Sequence, residues 1–288
     1  MSAETPLESV TRISVPLTII KIMANSRLRV TALRCIAAIF HNFFFRQYRS
    51  AFLPGLVPVS RADHLLDGKI PFMPGKVHIY LDFVGFWIRC LGFLLKNCGH
   101  RAVEPVRNFM ETMGRLYAFA AEIYKKNLST TERPFYIARP RFLLIHMADP
   151  HLMCIPSLHV MIVIRTYTLF REIAKSLGEE GRFAFQTEEL RRGALAITEA
   201  VLYVKQHSVN CIPAALYTMS KFEPDLFPPA EAERFTADLF VGEAVPGKED
   251  AGEIKAFIVS MYRRFLSEGG NEWQKPLLDF LKTFPRLE

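Results

Sequence analysis

Three short segments of this chain carry side chains suited to handling a phosphate group. Lys126 is followed seven residues later by Arg133, and both supply a fixed positive charge. Further along, Ser157 and His159 lie in a Pro-Ser-Leu-His sequence, and His207 ends a Lys-Gln-His sequence. An imidazole can attack phosphorus or move a proton, and cations stabilise the charge on phosphate oxygens. These residue types indicate phosphoryl transfer through a histidine.

The second segment also predicts a helix N-terminus. Pro156 suits the first turn of a helix, which places Ser157 and the amide of Leu158 where unpaired N–H groups favour an anion. The simpler alternative is that Ser157 only caps the helix and His159 is an ordinary hydrogen-bonded residue. Three cations, Lys126, Arg133 and Lys205, are expected to surround the phosphate, and we call them the phosphate cradle. The alternative is that they are solvated residues on the protein surface.

The order of the motifs resembles the type 2 phosphatidic acid phosphatase superfamily, which includes lipid phosphate phosphatases, bacterial acid phosphatases and vanadium haloperoxidases. That family's pattern is Lys-x6-Arg-Pro, then Pro-Ser-x-His, then Ser-Arg-x5-His-x3-Asp. The first two motifs match in full at 126–134 and 156–159, and Ser-Leu-His-Val is most similar to the inositol-phosphoceramide-synthase branch. The resemblance covers about residues 78–220. Any one motif can arise by chance, but all of them in this order are much less expected.

The third motif matches only in part. His207 is present, but Ala200 and Val201 stand in place of Ser-Arg, and Cys211 stands in place of the Asp. In the family that Asp holds the imidazole from four residues away on the same helix face. A neutral thiol is a poor acceptor, and Asn210 could accept from the imidazole N–H without stabilising its cationic form.

The resemblance implies an all-α helical bundle of the phosphatidic acid phosphatase and haloperoxidase type, here with an added C-terminal helical region. It also implies that His207 is the nucleophile and forms a phosphohistidine, while His159 protonates the leaving oxygen. No metal and no cofactor is required. The phosphate-binding residues that it implies are Lys126, Arg133, Ser157, Leu158 and Lys205.

Three functions therefore stay open. The first is a phosphoric ester hydrolase or phosphotransferase acting on a phosphorylated lipid or small molecule. The second is a pseudoenzyme that binds a phosphorylated ligand or an anionic membrane surface without turnover, as the lost Asp and Arg suggest. The third is a basic helical scaffold with no site. The position of His159 relative to His207 discriminates the third from the others.

Composition limits the class of protein. Half of the 288 residues are apolar, which is enough to bury a core, and the net charge of +7 favours anionic partners. The motifs select a phosphorylated partner over nucleic acid. Five cysteines, an odd number, lie mostly in apolar runs and indicate free thiols in a reducing compartment. Residues 1–10 lack the pattern of a secretory signal.

Membrane spans are not expected from the sequence. The longest stretches without Asp, Glu, Lys or Arg are 150–164 and 206–220, each shorter than the roughly 20 residues that a spanning helix needs. The run 77–95 is interrupted by Asp82 and Arg89. We therefore predict a cytoplasmic protein that is either soluble or peripheral at a membrane.

Helical periodicity dominates, and it divides the chain into three parts. We predict N-terminal helices and a loop over 1–76, a phosphatase-like helical core over 77–220, and a C-terminal helical extension over 221–288. The His146, Asp149 and His151 cluster has no metal-ligand spacing and is assigned ordinary polar roles in a loop. Predicted helices cover 10–23, 28–45, 77–95, 105–126, 160–170, 190–220 with a break at Pro213, 230–240, 248–266 and 271–282.

Overall fold

Apolar residues recur every three to four positions along most of the chain, and the computed structural model of the protein is accordingly helical, with 69% helix and 3% strand. The structure describes residues 7–242 and 246–287. Residues 1–6, which carry part of the expectation of no secretory signal, lie outside the described residues. The all-α class is confirmed.

The helices follow one another with short connections. The N-terminal helices are α1 (Val15–Ala24), α2 (Ser26–Ile39) and α3 (Phe45–Phe52), with a π-helical segment (Phe40–Phe44) between α2 and α3. The middle of the chain contains α4 (Val77–Tyr80), α5 (Phe83–Cys98), α6 (Val103–Tyr124), α7 (Pro140–Ala148), α8 (Leu158–Ser176), α9 (Ala184–Tyr203) and α10 (Cys211–Phe222). The C-terminal helices are α11 (Pro229–Ala237), α12 (Lys248–Glu268) and α13 (Lys275–Lys282). Short 3₁₀ helices cover Val10–Arg12, Leu65–Lys69, Pro74–Lys76 and Gly99–Ala102.

A small sheet joins three distant parts of the chain. Its central strand β1 (Val59–Arg61) pairs in parallel with β2 (Leu128–Thr130) and antiparallel with β3 (Arg286–Leu287). No strand is predicted from the sequence at these positions, because strands this short cannot display an alternating pattern. The backbone of Ser129 also accepts a hydrogen bond from Cys154 N at 3.1 Å. The sheet thereby fixes the segment that leads into α8.

The core lies around α8, which is buried on most of its faces and packs against α5, α6, α9 and α10. Buried apolar residues form one continuous cluster from Val10 to Leu281. All three segments predicted from the sequence contribute to it, and α12 packs directly against α10. The core therefore supports the ends of α8 and α9, where the histidine motifs lie.

One glycine sets the distance between α1 and α5. A β-carbon at Gly92 would lie 2.6 Å from Ile13 Cγ2 and would collide with the Thr18 hydroxyl. The absence of a side chain at this position lets α1 pack closely on α5, and α1 in turn packs on α2. The N-terminal helices are thus held against the bundle at a defined place.

Several helix predictions differ from the structure, and α7 and most of α3 lie outside the predicted helices. The predicted helix 77–95 is two helices, α4 and α5, separated by a turn at 81–82. The run 190–220 does break, but at 204–210 instead of at Pro213, which lies in the first turn of α10. A proline is tolerated there because its missing N–H would have no partner in the first turn. The helices predicted for the tail agree with α11, α12 and α13 within a few residues.

Candidate functional site

Ser157 lies at the N-terminus of α8, as its sequence predicted. It is the N-cap residue, is fully buried, and does not use its hydroxyl to cap the helix. The Ile155–Pro156 peptide bond before it is cis, and the Tyr124 hydroxyl donates to the Pro156 carbonyl at 2.5 Å. The serine hydroxyl instead lies 3.4 Å from Nε2 of His207.

His207 lies in the turn between α9 and α10, not on a helix. Its backbone N–H donates to the Val201 carbonyl at 3.2 Å, and Lys205, two residues earlier, has a left-handed φ of 54°. Asp67 holds the far side of the turn by accepting from Val209 N at 2.8 Å. The turn directs the imidazole into the protein, where His207 is only 8% exposed.

The two motif histidines are in direct contact. Nε2 of His207 lies 3.3 Å from Nδ1 of His159, and the ring planes are inclined by 68°. The ring of His159 is fixed by Tyr80, which stacks on it at 4.6 Å, and by the edge of Phe83 at 4.3 Å. Residues 48 positions apart in the sequence therefore form a single histidine pair.

Burial lowers the pKa of both imidazoles. The pKa of His159 falls from 6.5 to about 4, because desolvation disfavours the cation more than Asp149 favours it. The pKa of His207 falls well below 6.5 through burial and through its neighbours His159 and His151, with Asp149 and the Cys154 backbone opposing the shift. Both rings are therefore neutral at pH 7.

When two neutral imidazoles are in contact, one of the two facing nitrogens carries a proton and the other accepts the hydrogen bond. A nucleophilic Nε2 on His207 needs its lone pair free, so the proton of that ring must be on Nδ1. Within the described residues, His207 Nδ1 is buried and makes no hydrogen bond of full geometry, but the Cys154 backbone carbonyl is close enough to the ring to favour a proton on it. The tautomer is therefore set by competition between the Cys154 carbonyl and the facing nitrogen of His159.

The two residues proposed to orient His207 are engaged elsewhere or placed differently. The expectation that Cys211 shares a helix face with His207 is wrong, because His207 precedes α10 in a turn and Cys211 is the first residue of that helix. Asn210 donates through Nδ2 to the carbonyls of Ala62 and Asp63, both at 3.3 Å. Its Oδ1 is buried and accepts no hydrogen bond among the described residues.

Arg133 reaches the same region. Its guanidinium donates to Gln206 Oε1 at 3.2 Å and to the Asp149 carbonyl at 2.9 Å, with the Asp149 carboxylate 4.0 Å away. Gln206 directly precedes His207, so Arg133 joins the histidine turn to the segment between α7 and α8. A fixed positive charge next to the pair is the feature that an anionic phosphoryl group requires.

Lys126 and Lys205, the other two proposed cradle cations, point to other partners. Lys126 is exposed and donates to Gln274 Oε1 at 3.0 Å, in the C-terminal region. Lys205 donates to the Asp67 carbonyl, and its partial burial lowers the pKa of its ammonium group. Of the three expected cations, the structure thus brings Arg133 to the region of the pair and directs both lysines elsewhere.

Sequence reasoning missed a third histidine at the site. His151 is buried, and its ring centroid lies 6.4 Å from that of His207. Its backbone N–H donates to Asp149 Oδ1 at 2.9 Å, and Nε2 lies 3.0 Å from the Thr131 hydroxyl and 3.5 Å from Cys154 Sγ. Although burial lowers its pKa, Cys154 and Asp149 outweigh that effect and raise it to about 9.

The carboxylate of Asp149 responds to the same cluster. Burial would raise its pKa, but His151 and then Arg133 outweigh burial and hold the pKa well below its usual range. The side chain of Gln47 on α3 donates to Asp149 Oδ1 at 2.9 Å. The sequence signal for these residues was their position between the first motif and the second.

Two cavities meet at the histidine pair. The smaller, about 20 Å³, is lined by Asp149, His151, Cys154, His159 and His207 among others and has room for about one water molecule. A phosphoryl group can enter it only if these side chains separate. The larger, about 570 Å³, is within the usual size range of ligand sites. Both cavities share Phe43, Gln47, Asp149, Leu158 and His159.

The larger cavity is apolar over most of its lining. It runs between the N-terminal helices and α5, α6 and α7, and its charged, amide and imidazole groups are Gln47, Asp149 and His159 at one end. Ile19 and Ile36 also line the cavity and are exposed on the protein surface. The cavity therefore connects the surface of the N-terminal helices to the histidine pair.

No protein-family model, no curated protein and no solved structure matches this chain. The resemblance to the phosphatase superfamily therefore rests on its motifs.

Within residues 7–242 and 246–287, no group of three or more His, Cys, Asp or Glu side chains is placed to hold a metal ion. By length and composition alone, the helical stretches Ser26–Phe52 and Pro74–Tyr124 are able to cross a membrane.

Proposed function

We propose that this protein is a phosphoric ester hydrolase or phosphotransferase that acts through a phosphohistidine on a phosphorylated lipid. The observation that carries the proposal is the 3.3 Å contact between His207 and His159 at the end of an apolar cavity. The polar end supplies the groups for the phosphate, and the apolar length suits a hydrocarbon chain. A small soluble phosphoester would leave most of that cavity empty.

The roles of the two histidines follow from their protonation. His207, with its strongly lowered pKa, stays neutral and attacks phosphorus through Nε2, forming the N–P bond as the P–O bond to the alcohol breaks. His159 gives its proton to the leaving oxygen, then takes a proton from water or an acceptor alcohol that attacks the phosphohistidine. Arg133, Ser157 and the amide of Leu158 stabilise the phosphate oxygens.

The lowered pKa of His159 makes turnover faster at acid pH. The acid form of His159 is scarce at pH 7 and increases as the pH falls toward about 4, while His207 remains unprotonated. Turnover should therefore rise as the pH is lowered from 7 toward 5. A phosphate dianion bound beside His159 raises its pKa and moves the optimum upward.

The direct test is a phosphatase assay with phosphatidate and with a soluble aryl phosphate. We expect faster hydrolysis of the lipid, an acid-labile phosphoprotein after alkaline quench, and at least a hundredfold loss of rate in His207→Ala and His159→Ala. His100→Ala, which removes an exposed imidazole, is the matched control and should keep the parent rate. Equal rates for parent and His207→Ala would refute the assignment.

A second function, binding without turnover, is favoured by one specific observation. His207 Nδ1 makes no hydrogen bond to a carboxylate among the described residues, and the neutral Cys154 backbone carbonyl near the ring orients it without the charge of the Asp that the motif expects. We propose this pseudoenzyme as the alternative. Calorimetric binding of vanadate or phosphate, together with no hydrolysis of either substrate over pH 4–8, would support it over the enzyme.

A further inference from the structure

The N-terminal part of the chain is basic and contains no acidic residue between Glu8 and Asp63. This interval contains α1, α2, the π-helical segment and α3. Its basic residues are Arg12, Lys21, Arg27, Arg29, Arg34, Arg46, Arg49 and Arg61. A segment of more than 50 residues with positive charge alone is complementary to an anionic surface.

The same helices expose large apolar side chains. Ile20 is 62% exposed on α1, Phe40 is 60% exposed in the π-helical segment, and Phe52 is 78% exposed at the end of α3. The N-terminal face is defined by the exposed apolar residues Leu17, Ile19, Ile20, Val30, Leu33, Ile36, Phe40, Phe44, Phe45, Phe52, Leu53 and Leu56. Exposed apolar side chains on this scale mark an interaction surface.

The cations lie beside these apolar groups and are mostly free of carboxylate partners. Lys21, Arg34 and Arg49 are exposed, and none of them forms an ion pair within the part of the chain that the structure describes. Two of the eight basic residues have carboxylates nearby, since Arg61 pairs with Asp63 and Glu132 and Arg27 lies near Glu104 of α6. Long basic side chains next to an apolar helix face keep their charges at the level of lipid headgroups while their stems contact acyl chains.

We propose that the N-terminal face docks in the plane of an anionic lipid bilayer. A protein partner of this surface would need carboxylates and a matching apolar face, whereas an anionic bilayer supplies both properties without a specific shape. Docking in the plane is favoured over crossing, because α2 packs along α6 and Arg34 and Arg46 bound an uncharged run of only 11 residues.

The large cavity opens within this face. Ile19 and Ile36 line the cavity and are also exposed on the docking surface, at 46% and 59%. A docked protein thus presents the cavity to the hydrocarbon layer, and a lipid chain enters it without crossing water. The docking itself goes beyond the proposed function, since it occurs whether or not the histidines turn over a substrate.

The test is flotation of the full chain with phosphatidylcholine vesicles, prepared with and without phosphatidylserine. We expect binding to the anionic vesicles that weakens with added salt, and little binding to the neutral ones. Reversing three charges, in Lys21→Glu with Arg34→Glu and Arg49→Glu, should lower the partition coefficient about a hundredfold, because each basic side chain near an anionic surface contributes about fivefold.

The apolar contribution is tested separately by Ile20→Asp with Leu33→Asp, two exposed residues outside the cavity lining. Val241→Asp, also strongly exposed, and Lys175→Glu are the matched controls and should bind like the parent. Circular dichroism checks that each variant is folded. The proposal is overturned if the parent fails to float with anionic vesicles at low salt, if the variants bind like the parent, or if light scattering shows that the parent is a dimer and that Ile20→Asp with Leu33→Asp is a monomer.

Discussion

Acidification should destabilise this protein through His159. The ring is held between Tyr80 and Phe83 and contacts His207, so a proton on it loses hydration without gaining a carboxylate in direct contact. In the unfolded chain the same imidazole takes up its proton near pH 6.5, whereas in the folded protein it does so near pH 4. Between these values the unfolded state binds more protons, so stability falls as the pH falls.

The size of this loss of stability follows from the difference between the pKa of His159 in the unfolded and in the folded protein. With a pKa of 6.5 in the unfolded chain and about 4 in the folded protein, at about 1.36 kcal/mol per pKa unit, the free energy of unfolding falls by about 3 kcal/mol between pH 7.5 and pH 4. Because the imidazole keeps partial contact with solvent, this figure is an upper value. The lowered pKa of His207 acts in the same direction, although protonation of one ring opposes protonation of the other.

The assay is urea unfolding followed by circular dichroism at pH 7.5, 6.5, 5.5 and 4.5, for the parent and for His159→Gln. The glutamine removes the titration and keeps a polar side chain, so the acid slope of the unfolding free energy should become smaller. His100→Gln is the control for an exposed imidazole and should keep the parent slope.

Direct observation of the ring makes the prediction decisive. The NMR resonances of His159 should titrate near pH 4 or shift only as the protein unfolds. A midpoint near 6.5, or identical pH dependence in the parent and His159→Gln, would refute the burial argument and, with it, the assignment of acid and nucleophile by their pKa values.

Three further predictions concern the site and its supports. The raised pKa of His151, about 9, contributes stability that is complete below pH 6.5 and is lost as the pH rises through 9, so His151→Gln should flatten the alkaline limb of the same unfolding series. Gly92→Ala should lower the free energy of unfolding by about 1–2 kcal/mol through its collision with α1, while Gly252→Ala, in open space on α12, should raise it by about 0.5–1 kcal/mol in the same urea assay. Arg133→Ala should weaken vanadate binding at least tenfold by calorimetry, and Lys126→Ala should leave it unchanged because that ammonium group contacts Gln274. A stabilising Gly92→Ala, a destabilising Gly252→Ala, or equal losses in both cation variants would contradict these arguments.

The sequence motifs located the two histidines but did not determine which nitrogen of each ring carries the proton. The motif resemblance led to His159 and His207, and the structure places their facing nitrogens 3.3 Å apart. It did not lead to the turn that holds His207, because the left-handed residue of that turn, Lys205, is not a glycine or asparagine. A sequence pattern that assumed a continuous helix therefore placed Cys211 on the wrong face.

The sequence by itself determined the helical class and most helix positions, because apolar periodicity and capping are local properties. It predicted α6 and the start of α8 at Ser157 for this reason. Only the tertiary structure decided where long side chains point and which distant segments meet. Lys126 extends toward Gln274, Asp149 and His151 join the histidine pair, and strands of two or three residues from distant parts of the chain pair in one sheet. These outcomes depend on packing between residues far apart in sequence, which no local pattern encodes.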